Sequence, residues 1–185
     1  IKRPYVEDVL EKISHLNPDL IAVTGDLVDG SVKYLKSELQ PLKDMIAPYG
    51  TFFVTGNHEY YSGVDQWLDE TDRLGMKNLI NSNELISKAG DQIAIAGITD
   101  FRAHQIKPAH RSDPGLALRS VPEDIIKIVL AHQPNSIHSV HETGADLQLS
   151  GHTHGGQFWP FTYLVKMIHP YIAGLHDHHG TQIYV

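Results

Sequence analysis

The sequence predicts an α/β fold whose buried strands carry a polar site at their carboxyl ends. Three observations predict it. Short, mostly apolar runs of the kind found in parallel sheets recur at Leu20-Ile21-Ala22-Val23, Thr51-Phe52-Phe53-Val54 and Ile125 to Leu130. Segments of helical period stand between the earlier runs. Four apolar runs exit into residues able to bind a metal or move a proton, where α/β sheets bind ligands.

The elements follow in order. Residues Pro4 to His15 read as a helix, because Val6, Val9, Leu10 and Ile13 keep a 3.6-residue period and Pro4 suits a first turn. Asn17-Pro18-Asp19 ends it. The strand Leu20 to Val23 exits through Thr24-Gly25-Asp26. Ser31 is placed to cap a second helix to about Met45, which Pro41 interrupts. Thr51 to Val54 is the second strand and exits through Thr55-Gly56-Asn57-His58-Glu59. Asp65 to Leu74 reads as a helix closed by Gly75. Leu79-Ile80 and Glu84 to Ser87 read as short strands, and Gln92 to Ala96 as a longer one ending at Gly97 to Asp100. The polar stretch from Phe101 to Leu118 reads as a long loop bordering a site.

Ile125 to Leu130 is the next strand and exits through Ala131-His132-Gln133-Pro134; Ser136 to His141 reads as a short helix. Leu147 to Leu149 leads into Ser150-Gly151-His152-Thr153-His154-Gly155-Gly156. Trp159, Phe161, Tyr163, Leu164, Val165, Met167 and Ile168 are either core or an exposed patch that meets a membrane or an acyl chain. Gly174 to Gly180 reads as a turn, and Thr181 to Val185 as a last strand. One domain over residues 1–185 is expected, without internal repeats. A start at Ile1 and an end on a strand lead us to expect a piece of a longer protein.

Composition sets limits. A hydrophobic fraction of 41% and a charged fraction of 20% are those of a soluble globular domain. A net charge of −7 argues against a nucleic-acid or acidic-lipid surface. It does not exclude an anionic substrate, because bound cations reverse the local field. With no cysteine there is no disulfide or thiolate chemistry. No apolar run reaches the roughly 18 residues of a membrane span. The 13 histidines are the compositional outlier.

The strand exits carry the chemistry. Four adjacent strands would bring Asp26, Asn57, His132, His152 and His154 together, with Gly25, Gly56 and Gly151 directly before three of the exits' polar residues. In extended backbone His152 and His154 would point the same way. Carboxylate, amide oxygen and imidazole without sulfur suit manganese, iron or zinc. A carboxylate can bridge two such ions, the clamp used for phosphoryl transfer. His58 would face the substrate, either protonating the leaving oxygen or stabilising the phosphoryl charge, with Glu59 orienting it. Asp29 and Asp100 are expected to brace loops. His104, His110, His138 and His141 read as mostly solvated. His169, His176, His178 and His179 invite a second metal cluster, but Gly174 to Gly180 looks like a turn between strands, so they read rather as solvated, with His176 the best of the four for lining the site.

Thr24-Gly25-Asp26-Leu27-Val28-Asp29-Gly30, Gly56-Asn57-His58-Glu59, Ala131-His132 and Gly151-His152-Thr153-His154-Gly155-Gly156-Gln157 resemble, in that order, the motifs of the calcineurin-like metallophosphoesterase superfamily. The last motif, with Trp159-Pro160-Phe161 and Gly180 to Val185, resembles the YkuE/YaeI-like bacterial branch, whose members are often membrane-associated. The resemblance implies a β-sandwich of two mixed sheets flanked by helices. It implies a hydrolase of phosphomonoesters, phosphodiesters or pyrophosphates that uses a metal-activated hydroxide, on a lipid-linked or envelope substrate. Asp26 would bridge two metal ions, Asn57, His132 and His152 would complete one site, His154 would serve the other, and His58 would act near the leaving group. The family's opening Asp-x-His motif, which supplies the rest of the other site, is not in the sequence. The longer protein is therefore expected to be dinuclear, and this chain to hold one ion or to bind metal weakly, with impaired catalysis as the alternative outcome.

Overall fold

Three strands, β1 (Ile21–Val23), β2 (Thr51–Phe53) and β3 (Lys77–Asn78), form a parallel sheet in that order. The computed structural model, which describes residues 1–160 and 162–185, adds a six-stranded sheet. It contains β4 (Ser82–Lys88), β5 (Asp91–Gly97), β6 (Ile126–Leu130), β7 (Leu147–Leu149), β8 (Leu175–His178) and β9 (Thr181–Tyr184), in the order β4-β5-β6-β7-β9-β8. Its centre, β5-β6-β7-β9, is parallel, and the edge strands β4 and β8 run antiparallel.

Strand alternation builds the layers. Phe52 points inward and joins Val54, Leu79, Ile95 and Leu130 in a core shared by both sheets. Its neighbour Phe53 points outward to a second core with Val6, Leu39, Trp67 and Leu74. Val6, Leu39 and Trp67 come from α1 (Arg3–Leu16), α2 (Val32–Leu39) and α4 (Val64–Arg73), and Leu74 directly follows α4. On the far side, Ala96 and Val129 pack with Ala117, Leu118 and Val140, from α5 (Pro114–Leu118) and α6 (Ile137–Val140). The result is a sandwich of two sheets flanked by helices on both sides, as expected.

Several elements differ from the sequence expectation for physical reasons. The four strand exits are not on four adjacent strands. β1 and β2 belong to one sheet and β6 and β7 to the other, so the exits meet across the sandwich. The stretch 101–118 is not a plain loop, since the Asp113 carboxylate accepts from Leu116 N at 2.8 Å and caps α5. The turn read at 174–180 holds β8, and the reversal is confined to His179 (φ 54°) and Gly180 (φ 94°). In the aromatic stretch, α7 (Thr162–Ile168) buries only Val165, and Trp159, Tyr163, Leu164, Met167 and Ile168 are exposed. These residues form a surface patch and not core; Phe161 lies outside the described residues. No helix among the described residues is long and apolar enough to cross a membrane.

Candidate metal centre

Two glycines set the exits of β1 and β2 against each other. Gly25 (φ 86°) turns the chain so that Asp26 follows at φ 55°. A Cβ on Gly25 would overlap the backbone of Gly56, and one on Gly56 would overlap the Asp26 carboxylate. The close approach lets Asp26 Oδ1 accept from His58 N at 2.9 Å. Residues Asn57–Tyr61 form a short helix, α3. Asn57 and His58 are therefore not in extended backbone, and helical rotation separates their side chains.

Glu59 holds this arrangement. It is 1% exposed. Its Oε2 accepts from Gly56 N at 2.6 Å and Asp26 N at 3.0 Å, and its Oε1 accepts from Leu27 N at 2.8 Å. Burial pushes Glu59 above the usual carboxylate range and the Asp26 charge adds to it, while the N–H donors act in the other direction. Glu59 thus braces the loop presenting Asp26 and does not orient His58. The partner of His58 is Asp29, whose Oδ1 lies 3.1 Å from His58 Nδ1.

The exits of β6 and β7 enter from the other sheet. His132 is 1% exposed. Its Nδ1 donates to Thr24 O at 2.7 Å, a tie between the sheets that leaves Nε2 facing the centre. Asp26 Oδ2 and His152 Nδ1 each lie 3.0 Å from that nitrogen. Burial opposes charge on both Asp26 and His132. Their contact outweighs it, lowering Asp26 and raising His132 from their ordinary values. Burial, then the neighbouring His132 and His169, lowers His152 to about 4, so it is neutral at pH 7. His152 (φ 68°) and His154 (φ 50°) are both left-handed, not extended, yet both line one cleft.

That cleft, about 320 Å³, is lined by Asp26, Asn57, His58, His152, His154, Gln157 and His169, with Val165 and Ile168 as its apolar side. All six residues expected at the site therefore meet there, five as its lining and His132 behind Asp26 and His152. Donor atoms of Asp26, His132 and His152 lie within 4.8 Å of one another. Two further features fit a cation. Asn57 Oδ1 is buried and accepts no hydrogen bond, a state that costs about 1–3 kcal/mol. His132 gives its outer N–H to a carbonyl, as metal-binding histidines do.

Sequence reasoning missed two contributions. His169 lines the cleft with its ring centroid 5.2 Å from that of His152, and its Nδ1 meets Asn135 Oδ1 at 2.9 Å. It sits at the end of an aromatic run, and nothing in its spacing marks it. The bracing role of Glu59 is a three-residue return onto Gly56 N, a capping pattern readable in Gly56-Asn57-His58-Glu59. His176 does not line the cleft. It contacts Ala173 O at 2.8 Å and stacks on Tyr171. Asp100 braces as expected, accepting from Arg102 N at 2.9 Å and Gln133 Nε2 at 2.8 Å.

Comparison with known proteins gives a consistent result. The pattern of the calcineurin-like phosphoesterase family matches residues 2–156. An uncharacterized metallophosphoesterase of Helicobacter pylori is 39% identical over all of this chain and 49% of its own length. A zebrafish transmembrane protein with a metallophosphoesterase domain is 34% identical over all of this chain and 44% of its own length. The chain thus spans about half the length of these relatives. Among solved structures, the calcineurin-like phosphoesterase YfkN of Bacillus subtilis superposes with a TM-score of 0.57 at 17% identity, covering 97% of this chain and 78% of that one. A Staphylococcus aureus protein described as a putative 5'-nucleotidase gives 0.59 at 17% identity, covering 97% and 42%.

Proposed function

The chain belongs to the calcineurin-like phosphoesterase family, and from that premise we propose that it carries the metal centre of a phosphoester hydrolase. Asp26, Asn57, His132 and His152 would hold one ion; Asp26 and His154 would serve a second in the longer protein, while this chain by itself would hold one ion or bind metal weakly. The observation that supports this most is the convergence of Asp26, His132 and His152 donors beside the unpaired Asn57 oxygen. Oxygen donors among imidazoles suit manganese, iron or zinc. When bound, such ions supply a nucleophile at neutral pH and polarise the phosphoryl group.

The chain's own residues divide the remaining work. His132, with Nδ1 given to Thr24, presents Nε2, and Glu59 fixes the loop behind Asp26. His58, with Nδ1 on Asp29, keeps Nε2 for the substrate. It donates a proton to the leaving oxygen or a hydrogen bond to the phosphoryl group. Val165 and Ile168 of α7 line the cleft, and Tyr163, Leu164 and Met167 of the same helix are exposed; an apolar helix beside the site supports a lipid-linked or envelope phosphoester as substrate.

The test is hydrolysis of a chromogenic bis-aryl phosphate with added manganese, by this chain and by the longer protein containing it. Metal-dependent turnover that falls roughly 10²–10⁴-fold in His58→Ala, with manganese affinity unchanged, is the expected result. Tight manganese binding with no turnover in the longer protein would replace this reading with that of a metal-binding module. Undiminished turnover in His58→Ala at saturating manganese would remove the leaving-group role.

A further inference from the structure

Four histidines outside the cleft meet at the other end of the six-stranded sheet. His138 and His141 lie one turn apart on the helical segment that starts at α6. His178 and His179 sit at the β8–β9 reversal, where His178 pairs with Thr181 at the start of β9. The opposite end of β9, Tyr184, pairs with Leu149 beside the metal centre. Ring centroids are 5.1 Å apart for His138 and His178, 5.1 Å for His141 and His178, 5.3 Å for His141 and His179, and 4.7 Å for His178 and His179. Imidazoles sharing one tetrahedral zinc at ~2.0–2.1 Å have centroids about 5 Å apart.

The contacts of His178 leave one of its nitrogens open. Tyr171 has one hydroxyl proton, and it goes to Asp177 O at 3.2 Å. With that proton on Asp177 O, which can only accept, the 3.1 Å contact between Tyr171 Oη and His178 Nδ1 is satisfied by an N–H donated by the imidazole, the one arrangement that completes both contacts. Nε2 is left with its lone pair, buried and without a hydrogen-bond partner. An imidazole oriented by a hydrogen bond on one nitrogen and open at the other is prepared for a metal. Burial, then the neighbouring His179, His138 and His141, keeps His178 below the usual histidine range and so neutral. Unlike those of Asp26, His132 and His152, the donor nitrogens of these histidines are not gathered within 4.8 Å of one another; His138 and His179 are exposed, so rotation of their side chains would bring the rings onto a shared ion.

The geometry points to a separate metal site made only of imidazoles, in which His141, His178 and His179, joined by His138, bind one zinc, copper(II) or nickel ion. Nitrogen donors without a carboxylate favour those ions over manganese, unlike the oxygen-bearing centre in the cleft. An ion there would pin α6 to the β8–β9 hairpin. The assignment does not rest on the phosphoesterase reading.

The test is titration of the chain with zinc alone, following imidazole signals by long-range proton–nitrogen NMR and bound zinc by equilibrium dialysis. Zinc is expected to shift His138, His141, His178 and His179 in addition to any histidines of the cleft. The double variant His141→Gln/His178→Gln is expected to bind one zinc fewer. Tyr171→Phe, which frees the tautomer, is expected to weaken this zinc about 10-fold and leave cleft binding unchanged. Zinc shifts confined to His132, His152, His154 and His169 in the unmodified chain would overturn the site, whatever the variants do. Unchanged zinc stoichiometry and affinity in a folded double variant would overturn it as well.

Discussion

Glu59→Gln separates a bracing carboxylate from one that acts on His58. Glu59 accepts three backbone N–H groups, two on Oε2 and one on Oε1. Glutamine keeps an acceptor at only one of those places. With its oxygen toward Gly56 and Asp26, its amide nitrogen meets the Leu27 N–H donor to donor. The orphaned buried N–H costs about 1–3 kcal/mol, and loss of charge assistance weakens the two surviving bonds by about 1 kcal/mol each. A neutral amide is cheaper to bury than the carboxylate, which returns about 1–2 kcal/mol. The net expectation is a loss of about 2–3 kcal/mol, or about 5–10 °C in Tm for a chain of this size.

The same change loosens Asp26, whose N–H is one of the three. Manganese affinity is expected to fall about 10–100-fold, the usual effect of removing a group that orients a ligand. Urea unfolding with a chelator present measures the first quantity, and manganese titration of the folded variant measures the second. A variant within about 0.5 kcal/mol of the parent, the scatter expected of a neutral surface change, and with unchanged manganese affinity, would refute the bracing argument. Lost turnover with both quantities intact would restore a role for Glu59 at His58.

Asn57→Leu should move stability and binding in opposite directions. Removing the unpaired buried oxygen is expected to raise metal-free stability by about 1 kcal/mol, while manganese affinity drops at least about 10-fold. Gly56→Ala sets a Cβ into the Asp26 carboxylate; a loss of about 1–3 kcal/mol in urea unfolding, together with loss of manganese binding, is expected. Glu70→Gln tests the clamp between α2 and α4, where buried Glu70 meets Arg73 at 2.5 Å and Lys36 at 3.2 Å. Arg73, then Lys36, overcome its burial and hold Glu70 below its unfolded value of 4.5. The carboxylate therefore adds stability above that value and loses it as pH falls through the lower folded value. Urea unfolding should show the variant about 2 kcal/mol weaker at pH 7 and converging on the parent as pH falls below that lower folded value.

The sequence marks strands and metal-binding side chains better than the geometry joining them. Runs at 20–23, 51–54 and 125–130 are legible because strands buried on both faces are predominantly apolar, with Thr51 and Lys127 as the exceptions. Asp26, Asn57 and His132 are legible because each follows such a run, and His152 and His154 because they follow the short strand Leu147-Gln148-Leu149. The division of the exits between two sheets is not, since short runs carry no record of which strands pair with which. The reasons given for side-chain directions also fail. Asn57 opens a helix and His152 and His154 are left-handed, because exits that must turn at once cannot stay extended. Glu59, beside a histidine, looks like its partner; its return onto Gly56 N is readable as a cap, but the further bonds from Asp26 N and Leu27 N come from another strand exit and need the fold. The α7 residues look like core because their neighbours are apolar, yet the short helix offers one inward side, which Val165 occupies.

Backbone strain accounts for why so much support surrounds so few ligands. Asp26, His152 and His154 have φ values of 55°, 68° and 50°, and Gln157, which also lines the cleft, has 61°. Each such non-glycine residue costs on the order of 1 kcal/mol or more. Glycine would be cheaper at these places, and the chain does have Gly25, Gly151, Gly155 and Gly156 beside them. Side chains occupy the strained positions because the donors must sit there, directly above the strand ends. The opposing forces are local and identifiable. Glu59 holds Asp26 N, His132 O accepts from Gly151 N at 3.0 Å, and Thr153 Oγ1 donates to Ile172 O at 2.7 Å. Each bond lies within two residues of a strained ligand, so the strain is held where it arises. A cation shared by Asp26, His132 and His152 would then meet donors already gathered, and its binding energy would not be spent on ordering the loops.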